Sequence, residues 1–456
     1  MSQLFTGVNH NYTHFNETQM GEIFGQGLFN VKAYGAMGSG AGDDGTSIQY
    51  ALDAAQAVGG IAYFPPGVYK YGTTLNVTGR VHILGGGQVA RWTGDSIGTA
   101  ELSVKSSVIL KYTGSSDGMH IYSDTNDAVL NGITIENIEL VPSTDGGGRY
   151  GIFVDASDSS KCLSIAGLTL RNVVVQDWGT DGIYTKGTVF DVTFDRLSAL
   201  DNVRYGVNID DTSAQAGVPS QITFIDPWLF SGSSASSWAV YMDVAEVVRF
   251  FGGTIAGYGS SLGNGAFVRN GCSFFGTNIE GVSGANTIGV RYTGTNGLFL
   301  GQAQVSAWAI GVQIGNPNDK TANADGWVIA SEISGNTTDL HVVDGGSRLG
   351  TVLHRGYGQT FVLDDDLLTT DGVHDQWAYI GQSSRVAEYS DGDKIIHENA
   401  TTGFSVNANW EITDGTWNGG HLVLGTYHIW QASGVLYIKS GAPANATDGT
   451  IVGTQS

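Results

Sequence analysis

The sequence predicts an all-β chain: a right-handed parallel β-helix, that is a solenoid, with a short N-terminal capping helix and a C-terminal β-sandwich-like domain. Three observations carry this. Apolar residues alternate in blocks that recur at steps of 24 to 35 residues, from about residue 130 to residue 345. Glycine is abundant at 68 of 456 residues, with 7 prolines and no Gly-X-Y period, which suits many tight corners between strands better than collagen or disorder. One helical pattern stands near the start of the chain and none follows.

In chain order, residues 1–29 form a polar leader without a basic stretch followed by an apolar one, and no later segment has eighteen consecutive apolar residues. A soluble chain made in the cytoplasm is expected. His10 and His14 lack a third ligand in the leader and read as solvated side chains, so no metal is assigned. In TSIQYALDAAQAVGG, Thr46 or Ser47 is the expected N-cap; Ile48, Ala51, Leu52, Ala55 and Val58 share one face, and Gly59-Gly60 stops the helix, placed near 47–58.

The repeating block opens at Ile133, Leu168, Val192, Ile222, Val248, Cys272, Leu298 and Trp327. A Gly/Ala-led unit keeps pace at Gly151, Gly182, Gly206, Ala239, Gly265, Gly289 and Gly311. Each block holds three short strands. Such a unit cannot bury its apolar face alone but can when coiled on similar neighbours, which is the logic of a β-solenoid. The first coil would leave an open apolar end and unpaired strand groups, and the lone helix is their expected cover. Cys162 and Cys272 are too few and too far apart for a disulfide framework or a cysteine metal cluster, and both read as small buried hydrophobes.

Residues 30–77 read NVKAYGAMGSGAGDDGTSIQYALDAAQAVGGIAYFPPGVYKYGTTLNV. The VKAYGA opening, the Asp43-Asp44 turn, the helix and the GGIAYFPPGVY strand resemble the start of the pectate-lyase-like β-helix superfamily, which includes polysaccharide lyases, glycoside hydrolases and bacteriophage tailspikes. The solenoid is expected over residues 30–345. Past Gly345-Gly346 the pattern gives way to strand-like runs parted by Gly, Asp and Asn, and residues 346–456 read as a small β-sandwich. The chain's end, with Tyr427, Trp430, Gly434, Ile438-Lys439, Gly441, Pro443 and Asp448-Gly449, resembles a closing segment of phage tail and spike proteins. Together the resemblances imply a homotrimeric phage tailspike of the virion, which binds and depolymerises a bacterial surface polysaccharide. Residues 1–29, or another chain, would meet the phage tail or baseplate proteins, and the C-terminal domain would serve trimerisation or carbohydrate binding.

Composition narrows the partners. Forty-three acidic against 21 basic residues give a formal charge of −22, which leaves no basic stripe for phosphates and repels anionic lipid, so neither nucleic acid nor membrane insertion is expected. Aligned on its glycines, the Gly/Ala-led unit points alternate residues outward. One outward column reads Phe153, Tyr184, Asn208, Tyr241, Phe267, Arg291, Gln313, and the next Asp155, Lys186, Asp210, Asp243, Arg269, Thr293. Exposed rings stack on sugar faces while charged and amide groups fix hydroxyls. Phe153, Tyr184, Lys186, Asn208, Tyr241, Phe267 and Arg269 are therefore the candidate substrate-binding residues of a saccharide groove. The plain alternative is a sheet surface stabilised by aromatics and charge ladders.

Glycoside hydrolysis ordinarily uses two carboxyl groups. Asp210 and Asp243 on adjacent rungs would place their Cα atoms about 5 Å apart, which fits a retaining pair. Asp155 and Asp210, two rungs apart at about 10 Å, approach the inverting limit. Glu246 follows Asp243 by three residues, and Asp210, Asp243 and Glu246 are the first-choice acids, their crowding raising at least one pKa into the range of a proton donor. Asp177, Asp181 and Asp201 form a second catalytic candidate cluster. Gly179-Thr180-Asp181-Gly182 resembles the Asn-Thr-Asp-Gly motif of polygalacturonases, which implies a catalytic Asp181, although Arg204-Tyr205 stand where that family has paired aspartates. Turn capping by the same acids is the structural alternative.

Hydrolysis requires no cofactor. A polysaccharide lyase acting by β-elimination would instead draw its base from Lys186, Tyr184, Arg204 or Arg269 and would admit a divalent cation, since the acidic columns disfavour an anionic substrate unless a cation intervenes. A non-catalytic adhesin or tail fibre using the same groove is a further alternative. Asn137 and Asn172 are expected to form a short asparagine ladder, and Ile225, Phe251 and Phe275 an outward apolar stripe suited to a subunit interface.

Overall fold

The structure is a computed structural model and describes residues 27–90 and 106–343, apart from short loop segments, with separate strands beyond. His10 and His14 lie outside the described residues. Three strands build each coil, as the repeat predicts. Val189–Asp195, Ser198–Leu200 and Tyr205–Asp210 form one; Ser220–Ile225, Trp228–Phe230 and Trp238–Met242 the next; Glu246–Phe251, Thr254–Ala256 and Asn264–Val268 a third. Equivalent strands pair in parallel, so Val192, Ile222, Val248, Cys272 and Leu298 stand one above another. The product is a right-handed parallel β-helix. Twenty-two strands wrap two of its faces, and eleven, from Leu75–Val77 to Phe361–Leu363, form the third. Parallel pairing continues through Arg348–His354 and Phe361–Leu363.

One corner turns on a single left-handed residue in coil after coil: Asn137 (φ 57°), Asn172 (φ 52°), Arg196 (φ 53°), Asp226 (φ 45°), Gly252 (φ 65°) and Gly276 (φ 62°). Glycine and asparagine take this conformation at least cost. The two asparagines form the expected ladder, Asn172 Nδ2 donating to Asn137 Oδ1 at 2.7 Å.

Inside, Phe194, Phe224, Phe250 and Phe274 lie in register and have no exposure. Their ring centroids are 4.7, 4.5 and 4.6 Å apart. Each buried ring contributes about 1.5–3 kcal/mol from water exclusion, and each stacked pair about 0.5–1.5 kcal/mol more. Cys272 is buried and free.

The helix spans Gly45–Val58, and its N-cap is Asp44 rather than Thr46 or Ser47. Asp43 Oδ1 accepts from Gly45 N–H at 2.8 Å, and Asp44 accepts from the backbone N–H of Met37 and Gly38, so the acidic turn starts the helix early. Ile48, Ala51, Leu52 and Ala55 are fully buried, whereas Val58, also assigned to that face, is 65% exposed at the helix's last turn. The helix also completes the open sheet edge. Gln49 bonds both ways with the Asn76 backbone, at 3.0 and 2.8 Å, and Gln56 Oε1 accepts from Thr78 and Gly79 N–H. These amides stand in for the missing strand beside Leu75–Val77.

Two four-stranded antiparallel sheets follow: Gln376–Ile380, Arg385–Ser390, Asp393–Ala400 and Gly403–Phe404, then Leu422–Leu424, Tyr427–Ala432, Val435–Ser440 and Thr450–Thr454. No helix among the described residues is long and apolar enough to cross a membrane.

Candidate functional site

The outer face of the eleven-stranded sheet holds the aligned columns. Phe153, Tyr184, Asn208, Tyr241, Phe267, Arg291 and Gln313 are in register, preceded by His120 and followed by His341. Beside them Asp155, Lys186 and Asp210 are in register, so a lysine separates two carboxylates. A third column reads Tyr150, Asp181, Tyr205, Trp238, Asn264.

The rings are not open, which corrects the expectation of exposed stacking faces. Phe153, Tyr184 and Phe267 are only 8, 9 and 8% exposed. Strand spacing of about 4.8 Å is close to a ring-stacking distance, so the rings close on one another. Centroids lie 4.7 Å apart for His120–Phe153, 5.3 Å for Phe153–Tyr184 and 4.9 Å for Tyr241–Phe267. Ring edges, rather than ring faces, are left for a ligand. Asn208 breaks the stack; it is buried, and its Nδ2 donates to Asp181 Oδ2 at 3.0 Å.

Around that break the acids gather. Asp210 accepts a 3.0 Å hydrogen bond from the Tyr184 hydroxyl. One rung on, Asp243 has its pKa raised, chiefly by partial burial; Arg269 works against the rise and Asp210's charge adds to it. Arg269 Nη1 lies 3.3 Å from the Asp243 carbonyl oxygen and 3.9 Å from its Oδ1. Glu246 is set apart from this pair: it opens Glu246–Phe251 in the 22-stranded sheet, with Oε1 3.5 Å from Asn270 Nδ2. Asp155 sits two rungs below Asp210, accepting from Ser157 Oγ at 2.5 Å and Ser157 N–H at 3.0 Å, with His120 Nε2 at 3.7 Å. Burial pushes its pKa up, but His120 and the Ser157 donors prevail and bring it down to about 2. It is an ionised group, unable to donate a proton at neutral pH.

The second acidic cluster divides. Asp181 is completely buried in a bidentate pair with Arg204, whose Nε approaches to 2.8 Å. Burial raises its pKa while Arg204 and Asn208 oppose the rise. Two coils earlier Arg149 clamps buried Asp117 in the same way, at 2.8 and 2.6 Å. Each guanidinium also covers a ring, Arg149 that of Tyr150 at 4.6 Å and Arg204 that of Tyr205 at 4.9 Å. Asp177 and Asp201 occupy left-handed corner positions, with φ of 63° and 52°. Burial, then the charge of Asp145, raises the Asp201 pKa.

His120, Asp117 and Arg149 are absent from the sequence-based site. The signal was present: Gly118-Met119-His120-Ile121-Tyr122 carries the same Gly-apolar-x-apolar pattern one coil before Gly151.

Residues 28–126 match the family described as rhamnogalacturonase A/epimerase, pectate lyase-like. The match contains residues 30–77, the segment on which the pectate-lyase-like resemblance rests, and bears it out. Mannuronan C5-epimerase AlgE3 of Azotobacter vinelandii is 28% identical over 217 residues, 41% of this chain and 11% of that one. The chain thus matches a small part of that relative's length. Among solved structures, ORF18 of Geobacillus virus E2 is similar at 15% identity and a TM-score of 0.49, over 96% of this chain and 77% of that one. The enzymatically active domain of tailspike protein 2 of bacteriophage CBA120 is similar at 10% identity and a TM-score of 0.47, over 79% and 59%.

Proposed function

We propose that this chain is a β-helical tailspike that binds a bacterial surface polysaccharide along its eleven-stranded sheet and hydrolyses it. The observation that carries this reading is the pair at the break in the ring column: Asp210 held by Tyr184, and Asp243 with a raised pKa one rung away. Asp243 is the proton donor to the leaving oxygen. Asp210, oriented by the Tyr184 hydroxyl, is the nucleophile, and water deprotonated by the now ionised Asp243 breaks the glycosyl–Asp210 bond; adjacent rungs, about 5 Å apart, fit the separation of a retaining pair. Lys186 and Arg269 flank the two acids and fix sugar hydroxyls. The relatives named mannuronan C5-epimerases support a polysaccharide as the ligand. The stripe of Ile225, Phe251 and Phe275, 41, 41 and 38% exposed, supports a homotrimer, with phage tail proteins as its further partners.

Incubation with a panel of capsular and cell-wall polysaccharides tests the activity. New reducing ends without absorbance near 232 nm are the expected result, and their loss in Asp243→Asn assigns the donor. Absorbance at 232 nm would replace hydrolysis by elimination; binding without fragments would leave an adhesin. Elimination has one feature in its favour, the position of Tyr150 in the field of Arg149 and Arg204. Against it, burial and then Asp181 keep the Tyr150 pKa above its ordinary value, the wrong direction for a base.

A further inference from the structure

The outward ring column ends on a cation that has no counter-charge among the described residues. Arg291 follows Phe267 in register, and its guanidinium carbon lies 5.6 Å from the Trp238 ring centroid and 5.9 Å from that of Phe267. Its Nε donates to Gln313 Oε1 at 2.6 Å, and Gln313 Nε2 is 3.1 Å from His341 Nδ1, so the fork is held at its base. Neither terminal nitrogen meets an acceptor, and no carboxylate pairs with the group, among the described residues.

Arg149, Arg171, Arg196, Arg204 and Arg269 each face a carboxylate. Arg80, which meets the Asn131 carbonyl, and Arg249 also have no ion pair among the described residues, but both lie on strands or loops of the other sheet, so Arg291 is the arginine of the eleven-stranded face without one. A partly buried guanidinium without a counter-charge is costly to keep, and it remains charged because arginine does not lose its proton in proteins. The two terminal nitrogens of a planar fork match a carboxylate in bidentate geometry, and the rings of Trp238 and Phe267 flank the group.

We propose that Arg291 anchors a carboxylate-bearing sugar, so that the ligand of this face is an acidic polysaccharide. The inference rests on the reading of the eleven-stranded sheet as the saccharide track and adds the substrate class to it. Arg291 stands two rungs from Asp243, about 10 Å along the axis. The acidic sugar is therefore displaced from the bond that is cut, and the carboxylate serves recognition, not chemistry.

The test is calorimetric titration of the Asp243→Asn protein with mannuronate and glucuronate hexasaccharides and with the same oligosaccharides after reduction of their carboxyls to alcohols. At least one charged form is expected to bind about 10- to 100-fold tighter than its neutral counterpart, the range of a charge-assisted hydrogen-bonded contact. Adding Arg291→Gln should close that gap to within about 3-fold, and Arg291→Lys, which keeps the charge without the fork, should hold part of it. Arg249→Gln, on the other sheet, should leave it intact. Equal or no binding of both forms, or a gap that survives Arg291→Gln, overturns the proposal. Wild-type protein that shows the gap yet cleaves no polysaccharide would end the hydrolase reading while leaving the anion site in place.

Discussion

Two ring ladders climb the same solenoid, overlapping from Asn208 to Arg291, and end differently. The inner one, Phe194 through Phe274, is unbroken and made of one residue type. The outer one runs His120–Phe153–Tyr184, is interrupted by Asn208, resumes at Tyr241–Phe267 and stops at Arg291. The same vertical spacing stacks both. What differs is access to water: a polar side chain in the inner ladder would be buried without a partner, whereas on the outer face it can be paired or partly solvated. Regular stacking supplies the scaffold, and the acidic and amide side chains gather where stacking is interrupted, around Asp181, Asn208, Asp210 and Asp243.

The sharpest way to break this contrast is Asp243→Asn. It should lower kcat about 10²- to 10⁴-fold, the range for a general acid, while the unfolding free energy stays within about 0.5 kcal/mol of wild type, as for a surface change. The wild-type rate should fall as pH rises through the raised Asp243 pKa, because the donor must hold its proton; unchanged turnover in the variant would move the acid elsewhere. Phe250→Ala acts on the inner ladder and should cost about 3–5 kcal/mol in denaturant unfolding with no direct effect on the acids.

Arg204→Ala should also cost about 3–5 kcal/mol, because it strands the fully buried Asp181 carboxylate. If Asp181→Asn instead abolished turnover at wild-type stability, Asp181 would be catalytic rather than structural. Asp155 predicts a smaller, pH-dependent effect. Its folded pKa of about 2 lies below its unfolded value, so the stability it adds is present above pH 4 and is lost as pH falls toward 2. About 1 kcal/mol is expected once solvent screening is allowed for; Asp155→Asn should flatten that part of the stability profile. Tyr184→Phe is the mildest change, with about 0.5–1.5 kcal/mol lost from the hydrogen bond to Asp210 and a kcat reduced about tenfold or less.

Much of the scaffold was legible without coordinates. Phe153, Tyr184, Asn208, Tyr241 and Phe267 could be aligned because strand alternation and a glycine at each corner carry vertical position from coil to coil. The stripe of Ile225, Phe251 and Phe275 followed from the same rule. The site was legible only as columns. Nothing in the order of residues says that stacked rings hide their faces, that Asn208 spends its amide on Asp181, or that Glu246 lies past a corner from Asp243.

By itself the sequence determined the period, the capping helix and which residues share a wall, since these depend on backbone alternation and on apolar burial repeated in every coil. Only the tertiary structure decided which charges are paired. Asp181 and Arg204 are 23 residues apart, and their bond depends on rotamers and sub-4 Å distances that no local pattern encodes. The same holds for Arg291, whose hydrogen bond to Gln313 and lack of a carboxylate partner among the described residues no local pattern encodes.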